Sequence, residues 1–109
     1  MNDILLVVTN LPDAASAEKL ARWIIEERAA ACVNQLAPCA STHRWKNNIE
    51  TATEVPLLIK TTQAAYPRLE KLVREAHPYE LPEIIAVLVT VGLPSYLDWI
   101  DRETNTIEE

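Results

Sequence analysis

Apolar residues in the chain alternate between short continuous runs and helical stripes. Continuous runs occur at residues 4–8, 57–59 and 84–89, and such runs are typical of strands that are buried on both faces. The last of these strands is expected to extend over residues 84–91. Between them, residues 14–31 and 67–77 place apolar side chains three and four positions apart, as one face of an amphipathic helix does. These two periods predict a chain in which strands and helices alternate.

Polar residues and prolines predict where the helices begin and end. Asp13 can cap a first helix that runs to about Ala31, because its carboxylate can accept a backbone N–H of the first turn. Pro67 fits the first turn of a second helix, and Pro78 ends that helix because the residue before a proline disfavours the helical conformation. A short C-terminal helix opens at Pro94.

The middle of the chain predicts an unusually long β-hairpin. Its first arm runs from Cys32 to Trp45 and its second arm returns along residues 55–62, with a turn at 46–48, where asparagine tolerates the left-handed conformation. Pro38 in the first arm indicates an edge strand or a bulge. Arms of about fourteen residues would reach about 45 Å, whereas a usual strand has about five or six residues. Because such arms extend past the helices and leave strand edges exposed, we expect another chain to cover them.

The order β-α-β-β-α-β-α predicts an α+β fold. Four strands joined by two crossover helices form the split βαβ, ferredoxin-like βαββαβ sandwich, in which both long helices cover one face of an antiparallel sheet. The chain has 109 residues, which is enough for one domain. We therefore expect a single domain over residues 1–103 and a polar C-terminal tail over residues 104–109.

Charge and composition exclude several classes of partner. Sixteen acidic residues against ten basic residues give a formal net charge of -6, which argues against partners bound through phosphates and against anionic membrane surfaces. The longest apolar run, 84–89, is too short to span a bilayer, and the first residues lack the basic segment of a signal peptide. The expected protein is soluble and cytoplasmic, with no nucleic-acid or membrane partner.

The chain lacks the motifs of common catalytic and nucleotide-binding sites. Its single glycine excludes phosphate-binding loops, which need two or three glycines, and the HExxH, tandem CxxC and GxSxG motifs are absent. Cys32 and Cys39 would lie about 23 Å apart on one extended segment. A disulfide between them would therefore need a sharp bend at Pro38, and two reduced thiols are expected. No enzymatic activity is predicted.

One ten-residue segment carries most of a family resemblance. Residues 77–86 read His-Pro-Tyr-Glu-Leu-Pro-Glu-Ile-Ile-Ala, and residues 29–34, 45–50, 58–61 and 96–100 support the same match. Through these segments the chain resembles the CutA family of divalent-cation-tolerance proteins along nearly its whole length. The resemblance implies a ferredoxin-like fold, a compact homotrimer, similarity to PII signal proteins, and a link to copper and other divalent metals.

The chain departs from the family pattern at two places. Where members usually have Tyr-x-Trp-x-Gly at the hairpin, this chain has His43, Trp45 and Asn47. Asparagine is the best substitute for glycine in a left-handed turn, so the turn geometry can survive. Some members also place a cysteine in the first strand and a second histidine before the Pro-Tyr pair, and here those positions are Val8 and Ala76. Two of the three candidate copper ligands are therefore missing, and His77 remains.

Two residues are the candidate metal ligands. The imidazole of His77 suits Cu(II), and Cys32 could bind Cu(I) as a thiolate. The alternatives are that His77 occupies the end of the second helix and that Cys32 is a small buried apolar residue. We predict that no cofactor is required and that copper or another divalent cation binds weakly, with Glu80 or Glu83 adding oxygen donors. The remaining candidates are Cys39 and His43.

A ligand-binding cleft between subunits is the second predicted site. Tyr79, Glu80 and Glu83 lie on the proline-framed loop, and Trp45 and Lys60 come from the hairpin. Lys60 can pair with Glu83 or with an anionic ligand. The alternative is that the prolines only set the start of the last strand and that the tryptophan is a core or interface anchor.

The predicted function is non-enzymatic divalent-cation tolerance, in which the clefts bind a divalent metal such as copper or a small ligand. One alternative is a PII-like signalling module that binds a small anion and has no metal role. The other alternative is an uncharacterised enzyme that uses the same cleft.

Overall fold

The computed structural model describes residues 2–105 and has an α+β architecture. The elements in chain order are β1 (Ile4–Leu11), α1 (Ala14–Glu26), β2 (Cys32–Gln35), β3 (Cys39–Trp45), β4 (Asn48–Thr62), α2 (Tyr66–Ala76), β5 (Ile85–Val89) and α3 (Pro94–Glu103). All pairings among these strands are antiparallel, and the order across the sheet is β2-β4-β1-β5. β3 pairs with the first half of β4. The predicted α+β class is confirmed.

The hydrophobic core lies between one face of the sheet and the helices α1 and α2. Val7 of β1 and Leu57 and Ile59 of β4 are completely buried there, together with Ile24 of α1 and Val73 of α2. The three strand residues share one face because alternate side chains of a strand point to the same side and because Val7 pairs directly with Ile59. Two helices on one face of an antiparallel sheet is the arrangement that the ferredoxin-like prediction requires.

The first helix starts where the sequence predicts and ends earlier. α1 ends at Glu26, and the predicted continuation to Ala31 is wrong. The physical reason is that Arg28 adopts a left-handed φ of 56°, after which the N–H of Ala29 donates to the carbonyl of Ile24 at 3.0 Å. This hydrogen bond closes the helix in a Schellman motif and lets the chain turn towards β2.

The predicted long hairpin is present and consists of two paired segments. β2 pairs with the second half of β4 and β3 with the first half. Between these segments residues 36–38 stand opposite residues 55–56, so the proline-containing arm bulges by one residue. Lys46 and Asn47 have φ values of 50° and 69°, which are typical of the two-residue turn of a type I′ hairpin. Asn48 belongs to β4, and the whole molecule is 49 Å long.

The last strand differs from its prediction. Residues 84–91 were expected to form a strand that is buried on both faces, but β5 covers Ile85–Val89 and is largely exposed. Ile85 and Val87 are exposed by 59% and 58% on one face, and Leu88 is exposed by 54% on the other. The prediction is wrong for the single chain because β5 is an edge strand and the core formed by α1 and α2 does not extend over it.

α3 packs on the second face of the sheet and covers only one end of it. Ile100 is buried there, and Nζ of Lys60 lies 3.4 Å from the hydroxyl oxygen of Tyr96. Thr104 follows the helix, is buried, and donates its hydroxyl to the carbonyl of Ile100 at 3.0 Å.

Residues 106–109 of the predicted tail lie outside the described residues, so the domain limits stay a prediction. None of the described helices has the length and apolar character needed to cross a membrane.

Candidate functional site

A groove of about 570 Å³ runs between the outer part of the hairpin and the loop that connects α2 with β5. Four residues predicted for the ligand site line it, namely Trp45, Tyr79, Glu80 and Glu83. The hairpin forms one wall, the loop over residues 77–83 forms the other, and the end of β1 closes the base. The structure therefore brings together two segments that are separated by about thirty residues in the sequence.

His77 holds the start of the loop in place. Its backbone N–H donates to the carbonyl of Val73 at 2.9 Å, which completes the last turn of α2. Its ring accepts the backbone N–H of Tyr79 at Nδ1, at 3.2 Å, and Nε2 lies 2.5 Å from the carbonyl oxygen of Asn10. Because a carbonyl only accepts, the proton of the neutral ring lies on Nε2. Both nitrogens of His77 are therefore engaged in positioning the loop.

Glu83 fixes the other end of the loop to β1. The side-chain amide of Asn10 donates to Oε1 of Glu83 at 2.8 Å, and the hydroxyl of Thr9 donates to the backbone carbonyl of Glu83 at 2.6 Å. Thr9 is completely buried, so this second bond also satisfies a polar group in the core. The loop is thus held at both ends by neighbouring residues of one strand.

Tyr79 and Glu54 form the most buried polar pair of the groove. Glu54 is only 9% exposed and extends from β4 towards the loop. Burial, the interaction with the nearby Glu54 carboxylate and its negative charge together raise the pKa of Tyr79 to about 12, with a smaller effect of Asp13. Tyr79 therefore stays a neutral phenol beside the Glu54 carboxylate.

Beside the outer end of the groove, the hairpin tip carries an ammonium group near an aromatic ring. Nζ of Lys46 lies 5.5 Å from the centre of the Trp45 ring and 3.7 Å from Oε1 of Glu80. Nearby on the hairpin, Nε2 of His43 lies 3.6 Å from Oε1 of Glu50, which is its direct cross-strand neighbour. The ion pair between Lys46 and Glu80 is the contact that links the hairpin tip to the loop.

The groove is strongly acidic. Four of its lining residues are glutamates, namely Glu50, Glu54, Glu80 and Glu83. Within the described part of the chain, neither lysine nor arginine is among the residues that line it. A concave site lined by charges of one sign concentrates oppositely charged solutes, so the groove favours cations.

Lys60, Cys32 and His77 lie apart from the surface of this groove. Lys60 is on the second face of the sheet, where its ammonium lies 5.6 Å from the centre of the Tyr96 ring. Cys32 is the cross-strand neighbour of Lys60, and its thiol lies 3.9 Å from the side-chain oxygen of Asn34. Among residues 2–105, no three histidine, cysteine or acidic side chains are grouped so that they could hold a metal ion. Metal binding by His77 and Cys32 stays a prediction.

Sequence reasoning missed most of the hairpin wall. The groove residues it did not select as ligand contacts are Asn10, Ser41, Thr42, His43, Glu50, Ala52, Glu54 and Leu81. A period-two signal could have found part of this wall, because Glu50, Ala52 and Glu54 alternate along β4. The residues that face Glu50, Ala52 and Glu54 across the groove, by contrast, depend on the path of the loop over residues 77–83.

Comparison with known proteins supports one family over nearly the whole chain. A model of the CutA1 divalent ion tolerance protein family matches residues 5–103. The divalent-cation tolerance protein CutA of Thermus thermophilus is 38% identical over 99 residues, which are 91% of this chain and 96% of that protein. Protein CutA of Mus musculus is 41% identical over 96 residues, and these cover 88% of this chain but only 54% of the mouse protein.

Solved structures agree with this match. The crystal structure of CutA from Xylella fastidiosa superposes with a TM-score of 0.91 at 47% identity, covering 94% of this chain and 99% of that one. The antiparallel sheet and the two helices on one face define a small α+β protein of the PII-like class. Within that class, the chain belongs to the CutA1 divalent ion tolerance protein family, which is a family of non-enzymatic tolerance proteins.

Proposed function

We propose that the chain takes part in divalent-cation tolerance by binding cations weakly in the groove between the hairpin and the loop. The observation that carries this proposal is the set of four glutamates that line the groove. The net charge of -6 adds a general attraction for cations. In this proposal the protein supports tolerance by binding cations and not by catalysing a reaction, in agreement with a family of non-enzymatic tolerance proteins.

The charge of the groove weighs against the anion-binding alternative. A PII-like site for a small anion would need cationic side chains or free backbone N–H groups directed at the ligand. Lys60, the cation expected for that role, contacts Tyr96 on the other face of the sheet. An anion in the groove would instead meet several carboxylates, which repel it.

A metal ion in this groove would be held by few ligands. His43 and Glu50 are 3.6 Å apart and offer one nitrogen and one oxygen donor, which Cu(II) accepts. His77 is a poorer candidate, since both of its ring nitrogens already have hydrogen-bond partners. These residues therefore fit weak binding of copper or another divalent ion. The proposal includes no required cofactor.

We also propose that the chain works as a homotrimer, as the resemblance to its family implies. Support comes from the exposed apolar side chains of β5 and from the hairpin that extends beyond the helices. A single chain leaves Ile85 and Val87 more than half exposed, and a contiguous apolar surface of this kind is typical of an interface. Light scattering should give three times the chain mass of 12.3 kDa. The cytoplasmic location stays a prediction.

Calorimetric titration with Cu(II) at neutral pH tests the metal proposal. We expect weak saturable binding that falls about tenfold in His43→Asn and Glu50→Gln, because each substitution removes one donor. Cys32→Ser is the matched control and should bind like the wild type. Loss of binding in Cys32→Ser or His77→Gln, with normal binding in the two groove variants, would move the site away from the groove. Inorganic phosphate should give no saturable heat, and saturable phosphate binding would favour the anion alternative.

A further inference from the structure

We propose that α3 is a strap whose N-terminal half, residues 94–98, opens from the sheet while its C-terminal end stays clamped, and that opening frees the ammonium group of Lys60. The inference goes beyond the proposed function because it concerns the second face of the sheet and not the groove. It rests on the difference in attachment between the two ends of one helix.

Two arginines outside α3 hold its C-terminal end. Nη1 of Arg28 donates to the carbonyl of Glu103 at 3.0 Å, and Nη2 of Arg68 donates to the carbonyl of Thr104 at 3.0 Å. Nη2 of Arg68 also donates to the carbonyl of Arg28 at 2.8 Å, so the two arginines are linked. Because the last carbonyls of a helix carry partial negative charge and lack partners within the helix, two guanidinium groups stabilise this end.

The backbone of Arg28 supports a specific role for this clamp. Arg28 has a left-handed φ of 56° after α1, at a position where glycine is the usual residue and any other residue is strained. In this conformation its carbonyl accepts Arg68 and its side chain reaches Glu103. Glycine could make only the first of these contacts, so the contact with Glu103 offsets the strain.

Packing is also tightest at the clamped end. Ile100 and Thr104 are buried, and the hydroxyl of Thr104 donates to the carbonyl of Ile100 and lies 3.4 Å from the hydroxyl of Thr62. The side-chain amide of Asn2 donates to Oδ1 of Asp101 at 2.9 Å. These contacts join the last turn of α3 to the first residues of the chain and to the end of β4.

The N-terminal half of α3 has weaker attachments. Leu93 occupies the N-cap position, and no side chain caps the first turn. Residues 94–96 and 98 are exposed. Among the residues that the structure describes, Lys60 alone makes a side-chain hydrogen bond to this half, to the hydroxyl of Tyr96 at 3.4 Å. Segments with few buried contacts open locally at a lower free energy than the core does, so opening should begin here.

The segment before α3 contains the only glycine of the chain. Residues 90–93 are exposed, and Gly92 lies directly against Leu97, where a Cβ would be 2.9 Å from Cδ2 of that leucine. The φ of Gly92 is not left-handed, so alanine fits the backbone there. The added methyl group must instead displace Leu97, which is the half-buried apolar residue of the strap's first half. Gly92→Ala is therefore a substitution that favours the open strap.

Opening changes the surroundings of Lys60. With the strap closed, Nζ of Lys60 lies 3.4 Å from the hydroxyl oxygen of Tyr96 and 5.6 Å from the centre of its ring. Lys60 pairs with Leu6 across the sheet, and Leu6 pairs with Val87, so this ammonium borders the exposed apolar region. When Tyr96 leaves, the ammonium loses both contacts and becomes available to other groups. The strap thus controls access to Lys60.

Hydrogen–deuterium exchange of the native protein tests the strap. We expect the amides of residues 97–98 to exchange at least about tenfold faster than those of residues 103–104, because only the latter belong to the clamped end. Gly92→Ala should raise exchange at 97–98 several-fold and leave 103–104 unchanged. In the Leu97→Ala background, Gly92→Ala should add no further exchange, since the displaced side chain is absent. Equal protection of both ends in the wild type would overturn the proposal.

Acetylation with an N-hydroxysuccinimide ester, followed by mass spectrometry, tests the link to Lys60. Lys71 on the exposed side of α2 is the internal reference. The rate at Lys60 relative to Lys71 should rise several-fold in Gly92→Ala. Tyr96→Phe removes only the hydroxyl contact and should raise the relative rate without faster exchange at 97–98. Faster exchange in Gly92→Ala with an unchanged rate at Lys60 would overturn the control of Lys60 by the strap.

Arg28→Gly is the matched variant for the clamp. It relieves the left-handed strain and keeps the carbonyl that Arg68 binds, but it removes the contact with Glu103. We expect exchange at residues 103–104 to rise about tenfold, although glycine is the usual residue at this position. Unchanged exchange there, together with a higher melting temperature, would overturn the clamp. Circular dichroism of each variant must show the wild-type fold for these comparisons.

Discussion

The two faces of the sheet carry similar side chains and have different surroundings. On the face towards α1 and α2, Leu57 and Ile59 of β4 are completely buried. On the opposite face, Leu58 is only half-buried, and Val87 of the edge strand is 58% exposed. Since Leu58 lies between the two buried residues in the sequence, hydrophobicity alone does not decide burial. A strand that is apolar on both faces needs packing on each side. In the single chain α1 and α2 pack over β1 and β4 on one face, and α3 packs over only part of the other face.

The partial cover divides the second face into two regions. α3 packs over the end that contains Lys60, whose ammonium lies near Tyr96, and Ile100 is buried there. The region around Ile85 and Val87 has no such helix and stays exposed. The uncovered region is where we expect the neighbouring chains of the proposed homotrimer, because burial of this surface would remove apolar area from water.

The largest expected effect is a loss of stability, and it should differ between substitutions at two neighbouring residues of β4. Ile59→Ala should lower the free energy of unfolding by about 2–5 kcal/mol, because it leaves a cavity in the packed core. Leu58→Ala should cost clearly less in the separated chain, since a half-buried side chain loses less contact with its surroundings. Urea denaturation at low protein concentration measures both. Equal losses would contradict the difference between the faces.

The next effect concerns the uncovered face itself. Val87→Lys places a charge in the middle of the exposed apolar region, and a buried unpaired charge is costly in an interface. We expect the variant to shift from trimer to the 12.3 kDa chain at micromolar concentration, as measured by light scattering. Ala15→Lys on the exposed side of α1 is the control and should assemble normally. An unchanged mass for Val87→Lys would place the interface elsewhere.

A smaller effect appears at alkaline pH in the groove. The pKa of Tyr79 is raised from 10.0 to about 12, so the folded chain keeps this proton longer than the unfolded chain. The resulting stabilisation is complete below about pH 10 and is lost as the pH rises through about 12. The melting temperature of the wild type should therefore fall more steeply over this interval than that of Tyr79→Phe. Parallel curves for the two proteins would contradict the buried phenol.

The smallest effect is expected at the first helix. The side-chain oxygen Oδ1 of Asp13 accepts the backbone N–H of Ser16 at 2.8 Å, and this bond lowers the pKa of Asp13 below its usual value of 3.8. Because the pKa is lowered in the folded chain, the stabilisation is present above that value and is lost as the pH falls through the lower folded-state value. Asp13→Ala should lower the melting temperature slightly at pH 7, and Asp13→Asn should keep most of the cap. A thermal melt of Asp13→Ala identical to the wild type would contradict the cap.

Much of the groove could not have been predicted from single residues. The proline-framed loop was recognisable because its motif is continuous in the sequence, so Tyr79, Glu80 and Glu83 were selected correctly as neighbours. Glu54 was missed, since only the register of β3 and β4 and the position of the loop bring it to Tyr79. Lys60 lies at the far end of β4 from the groove, beside Tyr96 of α3, and its role in a ligand site stays a prediction.

The sequence by itself determined the features that depend on neighbours within a few positions. These are the cap at Asp13, the helix start at Pro67, the left-handed turn at Asn47, and the order of strands and helices. Only the tertiary structure decided which apolar residues are buried, because burial requires a second element on the same face. It also decided which carboxylates share a groove, because two segments meet there that are distant in the chain. Local rules follow from backbone sterics and hydrogen bonds, whereas burial and the charge of the site follow from packing.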